Sequence, residues 1–554
     1  MDKLLPFAST LARMLVVVAS ERVLASSTRI CGGCGSGQAL LEAWYRDWLL
    51  TTSNIKAMVG GEIRMYKLTN SKWGILRRLG HYREFVRAGR DDSYRDSDAA
   101  ENDRGRLPDD EGVQIPAVWA VELYTPSQVA RLTEGLRKLG WERGRSREDS
   151  LLQWTEKTRQ GRSQSWASLG LVSDVRKPHL MSERTTSLPS GVDAAHPVLI
   201  SLSPSITALV MGFFFTEKEA KSLDGPLRKI YSTYTSTSPL LRVRDVWAYI
   251  FFGRRARFTR TLHQPDNQRR DSVQNELARL EHTCANWITG NLPGVFASGI
   301  GGGDLPTAVL LVTEKIAPAT DDFYPVRAFD GLSIRWLNDR WISPKWPGAA
   351  LNISKDSDYS KARLTFICRR SDAFPASPGY IDPTSNWTIA HRAHETVRGV
   401  LTRWALSRVL DGYSAELSAL RDKSAGNGKY HALRDLKTLR SLVRHRLFDA
   451  VITAQEIEEF AADPFSYRYD TLEMYVKDGN NKPHYLADAL RRSQIADARR
   501  TLRDANLLQS VLSTSSNISQ TISNLRIQQA IIGLTLVSIV IAAWALKVSI
   551  KAAQ

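Results

Sequence analysis

The sequence predicts an α+β cytosolic region, then a helical region, a long stalk helix and one C-terminal transmembrane helix. Three observations carry this fold class. The chain closes on the apolar run "AIIGLTLVSIVIAAWALKVSIKAAQ"; two strand-like runs lead directly into helix-start signals; and from Thr388 onward apolar residues recur at helical spacing.

Residues 1–45 read as a leader outside the fold. Arg13 splits the apolar stretch of "MDKLLPFASTLARMLVVVASERVLASS", and the clean piece Met14–Ala19 is shorter than a signal h-region. "CGGC" at Cys31–Cys34 is half of a zinc knuckle or a thioredoxin-like pair, but no second CxxC or HxxxH follows at a suitable distance, and it reads as a flexible Gly-rich linker. With Cys284 and Cys368 it makes four cysteines in all, too few for a disulfide scaffold, which fits a reducing compartment.

Residues 46–235 form a first α/β region, with 87–115, charged and poor in apolar residues, as a disordered loop. Ala117–Tyr124 is a buried strand, followed by Thr125 as N-cap and Pro126 at the first helical position. Ile206–Phe215 is a second strand, running into Thr216 with Glu219 completing a capping box. Two such units suggest a ferredoxin-like layer. A second α/β region, 236–385, holds a helix around Arg269–Ile288 and strands at Thr307–Lys315 and Ala362–Arg370. "SGIGGGDLP" (Ser298–Pro306) precedes a strand, whereas phosphate cradles follow one, and no Gly-Lys-Ser/Thr is present.

The helical region spans 386–480. Ile389, Ala393, Val397, Val400, Leu401 and Trp404 share one face, and a second helix runs from His431 to Ala462 before Pro464. His391, His394 and Glu395 spell H-x-x-H-E, which matches neither zincin order and reads as a local surface pair. From Pro483 one helix continues, without Pro or Gly between His484 and Gln529, as a stalk over 483–529. At 1.5 Å per residue it is about 70 Å long. A helix of that length needs something to pack against.

The span is placed at 530–550. Ala530 to Leu546, with Gly533 inside it, carries no charge and no proline and covers about 26 Å, or about 30 Å if Lys547 snorkels. Trp544 sits where an interfacial anchor belongs. Few residues follow, so a second span is not expected. Without a signal sequence, insertion after synthesis leaves the large N-terminal region in the cytoplasm. Arg526 on one side and Lys547 and Lys551 on the other do not set the orientation.

One row on this helix steps by four and three from Ser510 through Asn517, Thr521, Asn524, Gln528, Ile531, Thr535 and Ser538 to Ser549, and all of it except Ile531 is uncharged polar or small. The adjacent row, including Ile518, Ile522, Leu525, Ile532, Leu536 and Ile539, is largely apolar. A shared 3.5-residue period is the pattern of helices that supercoil with copies of themselves. Either the aqueous half of the polar row is solvated and its membrane half is a small-residue packing face, or the row lines an axis with Ile531 as its constriction, a charge-free lining suited to a gated cation path.

"SNISQTISNLRIQQAIIGLTLVSIVI" (Ser516–Ile541), where an Asn/Gln-bearing stalk end enters a span, resembles the pore-lining helix of the CorA-type divalent-cation channel family. The resemblance covers about the last 70 residues. It implies a pentamer with Asn517, Thr521, Asn524, Gln528, Thr535 and Ser538 facing its axis. The Gly-Met-Asn that ends the family's first span has no counterpart in "AAWALKVSI", and the second span is absent.

A net charge of +17 favours anionic partners, but the Lys and Arg are scattered with no aromatic-interleaved basic run, so nucleic acid is not an expected partner. The expected partners are the lipid bilayer, further copies of the chain and an anionic ligand. No nucleophile elbow, P-loop or zincin motif appears, and no catalytic, cofactor-binding or metal-ligating residue is assigned. The alternatives are a membrane-tethered enzyme and a non-conducting scaffold.

Overall fold

A computed structural model describes residues 74–80, 90–92, 96–143, 150–161, 164–178, 182–239, 258–318, 332, 340–353, 363–373, 382–426, 446–477 and 482–552. The chain divides into two units, 1–89 with 237–259, and 90–236 with 260–554. In the first unit residues 74–80 are helical. The expected leader and its CGGC lie outside the described residues.

The second unit opens with β1 (Arg90–Asp92), α1 (Asp96–Gly105), β2 (Val113–Tyr124), α2 (Val129–Lys138) and α3 (Leu151–Gln160). Strands β3 (Ser165–Ser168), β4 (Val172–Asp174), β5 (Arg184–Thr186), β6 (Val192–Ser203) and β7 (Ile206–Phe215) follow. Then come α4 (Glu217–Ala220), α5 (Asp224–Arg228), β8 (Tyr234–Pro239) and β9 (Phe258–His263), of which 237–239 and 258–259 count with the first unit, α6 (Pro265–Asn291) and β10 (Thr307–Thr313). The remainder is β11 (Arg340–Ser343), β12 (Trp346–Ile353), β13 (Leu364–Arg369), α7 (Asn386–Gly426), α8 (Phe448–Ala462), α9 (Pro464–Arg468), β14 (Tyr475–Lys477), β15 (Pro483–Tyr485) and α10 (Leu486–Ala552).

Twelve strands make one mixed sheet in the order β15-β14-β11-β12-β13-β10-β2-β7-β6-β4-β5, with β3 also on β6. Pairs β10–β13 and β4–β5 are parallel. The sheet is organised around β2, whose run "VQIPAVWAVELY" is buried on both faces and therefore needs a neighbour at each edge and cover above and below. Its edges are taken by β7, from Ala117↔Phe214 to Tyr124↔Thr207, and by β10, with Thr307 opposite Ala120. Alternation sends Trp119 toward α7, where its indole N–H donates to His394 Nδ1 at 2.9 Å. The other face receives the end of α6, where the Tyr124 hydroxyl donates to the Leu292 carbonyl at 2.6 Å.

Several expectations are corrected. The two α/β regions 46–235 and 236–385 are not separate layers, ferredoxin-like or otherwise, because β10 to β13 enter the same sheet as β2, β6 and β7. The 87–115 loop contains α1 and the start of β2. Its polar residues are structural bolts: Asp98 accepts from the Thr233 N–H at 2.7 Å, and Asn102 exchanges bonds with the Tyr231 backbone at 2.7 and 3.0 Å. Glu111 accepts the backbone N–H groups of Glu314 (2.7 Å) and Ile316 (2.8 Å), tying this segment to the end of β10. Buried polar groups paired this way hold a segment that composition alone marks as unstructured.

The α2 helix starts at Val129, three residues after Pro126; the Thr125 carbonyl accepts the Gln128 and Val129 N–H groups, while its hydroxyl is given to Asp449 of α8 at 3.0 Å and caps no helix. Thr216 is the N-cap of α4 without a side-chain cap bond, while Glu219 pairs with Arg279 of α6. Only 446–462 of the expected helix His431–Ala462 lies within the described residues. Pro483 opens a short strand, not the helix, which starts at Leu486.

Candidate membrane anchor

Helix α10 is 67 residues long, about 100 Å at helical rise. Its first turns are not a free stalk. Gln494, Ala498, Thr501, Ala505 and Leu508 are buried, spaced four, three, four and three, on the face turned to α7 and α8. The alanines and the threonine let the helices approach closely, and the partner that this first part of the helix requires is supplied within the same chain.

A buried polar bolt fixes this seat. Gln494 Nε2 donates to the Arg403 carbonyl (2.6 Å) and to Ser407 Oγ (2.8 Å), and its Oε1 accepts from the Tyr467 hydroxyl (2.9 Å). Arg403, 1% exposed, donates to the carbonyls of Tyr467 (3.2 Å) and Tyr469 (2.8 Å) and lies 5.4 Å from the Phe460 ring centroid. Burial brings its pKa down to about 10, so the guanidinium remains charged at neutral pH, hydrogen-bonded to carbonyls and favoured by the nearby Asp470 carboxylate. The close approach of the 470 turn explains Gly399, where a Cβ would meet the Asp470 carbonyl at 2.0 Å.

Beyond Leu508 the helix continues for about 28 Å before Ile527. From Ile527 to Ser549 it is long and apolar enough to cross a membrane: 23 residues, mean hydropathy 2.3, with none of it buried in the protein. Ala530, Gly533 and Leu546 lie within this segment, no atom approaches a Cβ position at Gly533, and Trp544 is 69% exposed. Ten large apolar side chains from Ile531 to Leu546 stand uncovered, far more than an isolated soluble surface patch sustains.

Of the polar row, Asn517 and Thr521 lie on the helix at positions whose side chains are outside the described residues, while Asn524, Gln528, Thr535 and Ser538 are exposed. The hydroxyls of Thr535, Ser538 and Ser549 donate to the carbonyls of Ile531 (2.8 Å), Leu534 (2.9 Å) and Ala545 (2.9 Å). Each donor is therefore satisfied four residues back, which makes these side chains compatible with lipid without water or a partner.

The His391/His394/Glu395 surface-pair expectation is corrected. His394 is fully buried and its ring stacks on His196 of β6 at 4.3 Å and 21°, while His391 is half-buried and stacks on the same ring at 5.7 Å and 14°. Glu395 is exposed. Burial, reinforced by His196, Arg398 and His391, lowers the His394 pKa well below its ordinary value, so the ring is neutral. Gly212 leaves the space: a Cβ there would lie 2.7 Å from Trp119 Nε1 and 2.9 Å from His394 Nδ1. Near-parallel rings do not converge their nitrogens, and no metal-holding group occurs among the described residues.

The glycine-rich segment forms a 3-10 turn, Ile300–Gly303, and Gly299 lines a cavity of about 360 Å³ with Arg408, Asp411, Glu416 and Arg446. The Arg446 guanidinium there is paired with Glu416. Cys284 and Cys368 are buried free thiols whose pKa burial raises, that of Cys368 to about 12, so neither presents a thiolate.

Sequence reasoning missed Arg403, Tyr467 and Gln494, which seat the anchor helix, and His196 and Trp119, which surround His394. Gln494 carried a usable signal, since it opens the four-three row that Ala498, Thr501, Ala505 and Leu508 continue. Comparison with protein-family models, curated proteins and solved structures returns no match to this chain.

Proposed function

We propose that the chain is a single-pass membrane protein, anchored by Ile527–Ser549, whose folded unit sits on the cytoplasmic side as a sensing or binding region. The observation that carries this reading is the uncovered 23-residue apolar helix. The proposed assembly is a homo-oligomer in which α10 packs against its copies, with Asn517, Thr521, Asn524, Gln528, Thr535 and Ser538 toward the axis. Two points support it. Between Asp504 and Lys547 the only charged residue is Arg526, so no i,i+4 ion pairs sustain a lone helix between the folded unit and the bilayer. The four-three rows also pass unbroken from the aqueous segment into the span.

A CorA-like ion path along the axis is the extension of this reading. The intrahelical bonds of Thr535, Ser538 and Ser549 favour a second one, a non-conducting scaffold in which the small-residue row is a packing face. The mass of the detergent-solubilised particle tests the assembly, and conductance in planar bilayers separates the two. A multimer with unitary currents supports the path; a silent multimer supports the scaffold; a monomer removes both.

A further inference from the structure

The geometry points to a binding site for a monovalent inorganic cation, Na+ or K+, in a buried group of oxygens from Asp449 and Thr453 of α8, Tyr413 of α7 and Thr125 at the end of β2. The site lies within the folded unit and depends on neither the anchor nor an oligomer. Asp449 and Thr453 are four residues apart, so their side chains leave the same face of α8. The Asp449 carboxylate is fixed from the strand side, where its Oδ2 accepts from the Thr125 hydroxyl at 3.0 Å and from the Ser127 hydroxyl. The Tyr413 hydroxyl faces Asp449, Thr453 and Thr125 without closing a hydrogen bond to any of them. Asp449, Thr453, Tyr413 and Thr125 are all 5% exposed or less.

Three oxygens in this group, Asp449 Oδ1, Tyr413 Oη and Thr453 Oγ1, are buried with no hydrogen-bond partner among the described residues. Buried polar atoms are normally paired, so three such oxygens beside one carboxylate call for an occupant that all of them can meet at once. Charge decides which. The Arg159 guanidinium feels both Asp449 and Glu456, but it forms an ion pair with neither among the described residues and its Nη1 is buried without a partner. Glu456 spends one oxygen on the Ser203 hydroxyl and the Ser205 N–H. Two carboxylates therefore share one guanidinium, and one negative charge is left over. A water would satisfy the oxygens yet leave that charge uncompensated, whereas a monovalent cation does both. Oxygen donors suit a hard ion, whose hydration shell they replace. A single carboxylate matches a single positive charge. The described residues hold no cluster of three or more His, Cys, Asp or Glu, the kind that fixes a transition metal or Ca2+. Ser127 is exposed and marks the side from which an ion can enter.

The test is urea unfolding of the full chain in detergent, in NaCl, KCl or N-methylglucamine chloride at one ionic strength, so that screening is equal in every arm. An ion present at about ten times its Kd should raise the folding equilibrium constant about tenfold over the bulky N-methylglucamine cation, which the site cannot admit. Asp449→Asn keeps an acceptor for Thr125 and Ser127 but removes the charge, and it should abolish the difference between salts. Tyr413→Phe removes one oxygen and no charge, and it should move the dependence to higher ion concentration; it carries the test if Asp449→Asn does not fold. Equal stability of the unaltered chain in all three salts overturns the site. A Na+ or K+ effect that persists undiminished in either variant places the ion elsewhere and overturns it as well.

Discussion

Replacing Gln494 by leucine and Tyr467 by phenylalanine, singly and together, measures how α10 is seated. The Gln494 amide makes three hydrogen bonds, buried ones to the Arg403 carbonyl and the Tyr467 hydroxyl and a half-buried one to Ser407. Gln494→Leu keeps the volume but leaves the Tyr467 hydroxyl without its partner, in a side chain that is fully buried. Orphaning a buried donor costs about 1–3 kcal/mol, and the lost bonds to Arg403 and Ser407 bring the expected total to about 2–4 kcal/mol. Tyr467→Phe removes one bond and orphans Gln494 Oε1, for about 1–2 kcal/mol. In the double variant no Tyr467–Gln494 bond remains to be unmade, so its cost should fall short of the sum by about 1–2 kcal/mol. The assay is equilibrium urea unfolding of the detergent-solubilised full chain, followed by tryptophan fluorescence. Strictly additive single costs, or a Gln494→Leu variant as stable as the wild type, would refute the buried bolt.

Gly212→Ala should destabilise by about 1–3 kcal/mol, since the new methyl group must displace the Trp119–His394 hydrogen bond or bend β7; a neutral midpoint in the same assay would contradict the packing described. Burial raises the Glu122 carboxyl to about 7 despite the N–H donors of Phe296, Ala297 and Leu123. The folded state then binds the extra proton between about pH 4.5 and 7, so this group's stabilisation, up to about 3 kcal/mol, is lost as pH rises through that window. Subtracting the Glu122→Gln profile from the wild-type profile should expose that slope. His394 acts in the opposite sense: its folded pKa is depressed, the unfolded chain takes up the proton first, and stability falls as pH drops below about 6.5. In His394→Phe the acid-side fall between pH 6.5 and 5 should be shallower than in the wild type, and an unchanged slope would remove His394 from the account.

Much of the core was legible. The strand Ile206–Phe215 was read with its observed bounds, because ten consecutive apolar or small residues between turn signals leave little choice. The helices α6 and α7 and the apolar end of α10 followed from periodicity and composition in the same way. Joining both α/β regions into one sheet was not legible, since β2–β10 pairing links residues nearly two hundred positions apart and leaves no local signature. Polar side chains misled in both directions. Asp98 and Asn102 made α1 look unstructured, and Thr125 looked like a cap although its hydroxyl is committed to Asp449. His394 looked like a surface residue because its neighbours Trp119, His196 and Gly212 come from three strands distant in sequence.

Fractionation of the full chain beside a form ending at Arg526 is the most direct test of the anchor. The account predicts that the full chain pellets with membranes and resists alkaline carbonate, whereas the shortened form, which keeps the Gln494 seat intact, is released to the supernatant. Identical partitioning of the two forms would show that Ile527–Ser549 does not hold this protein in a bilayer.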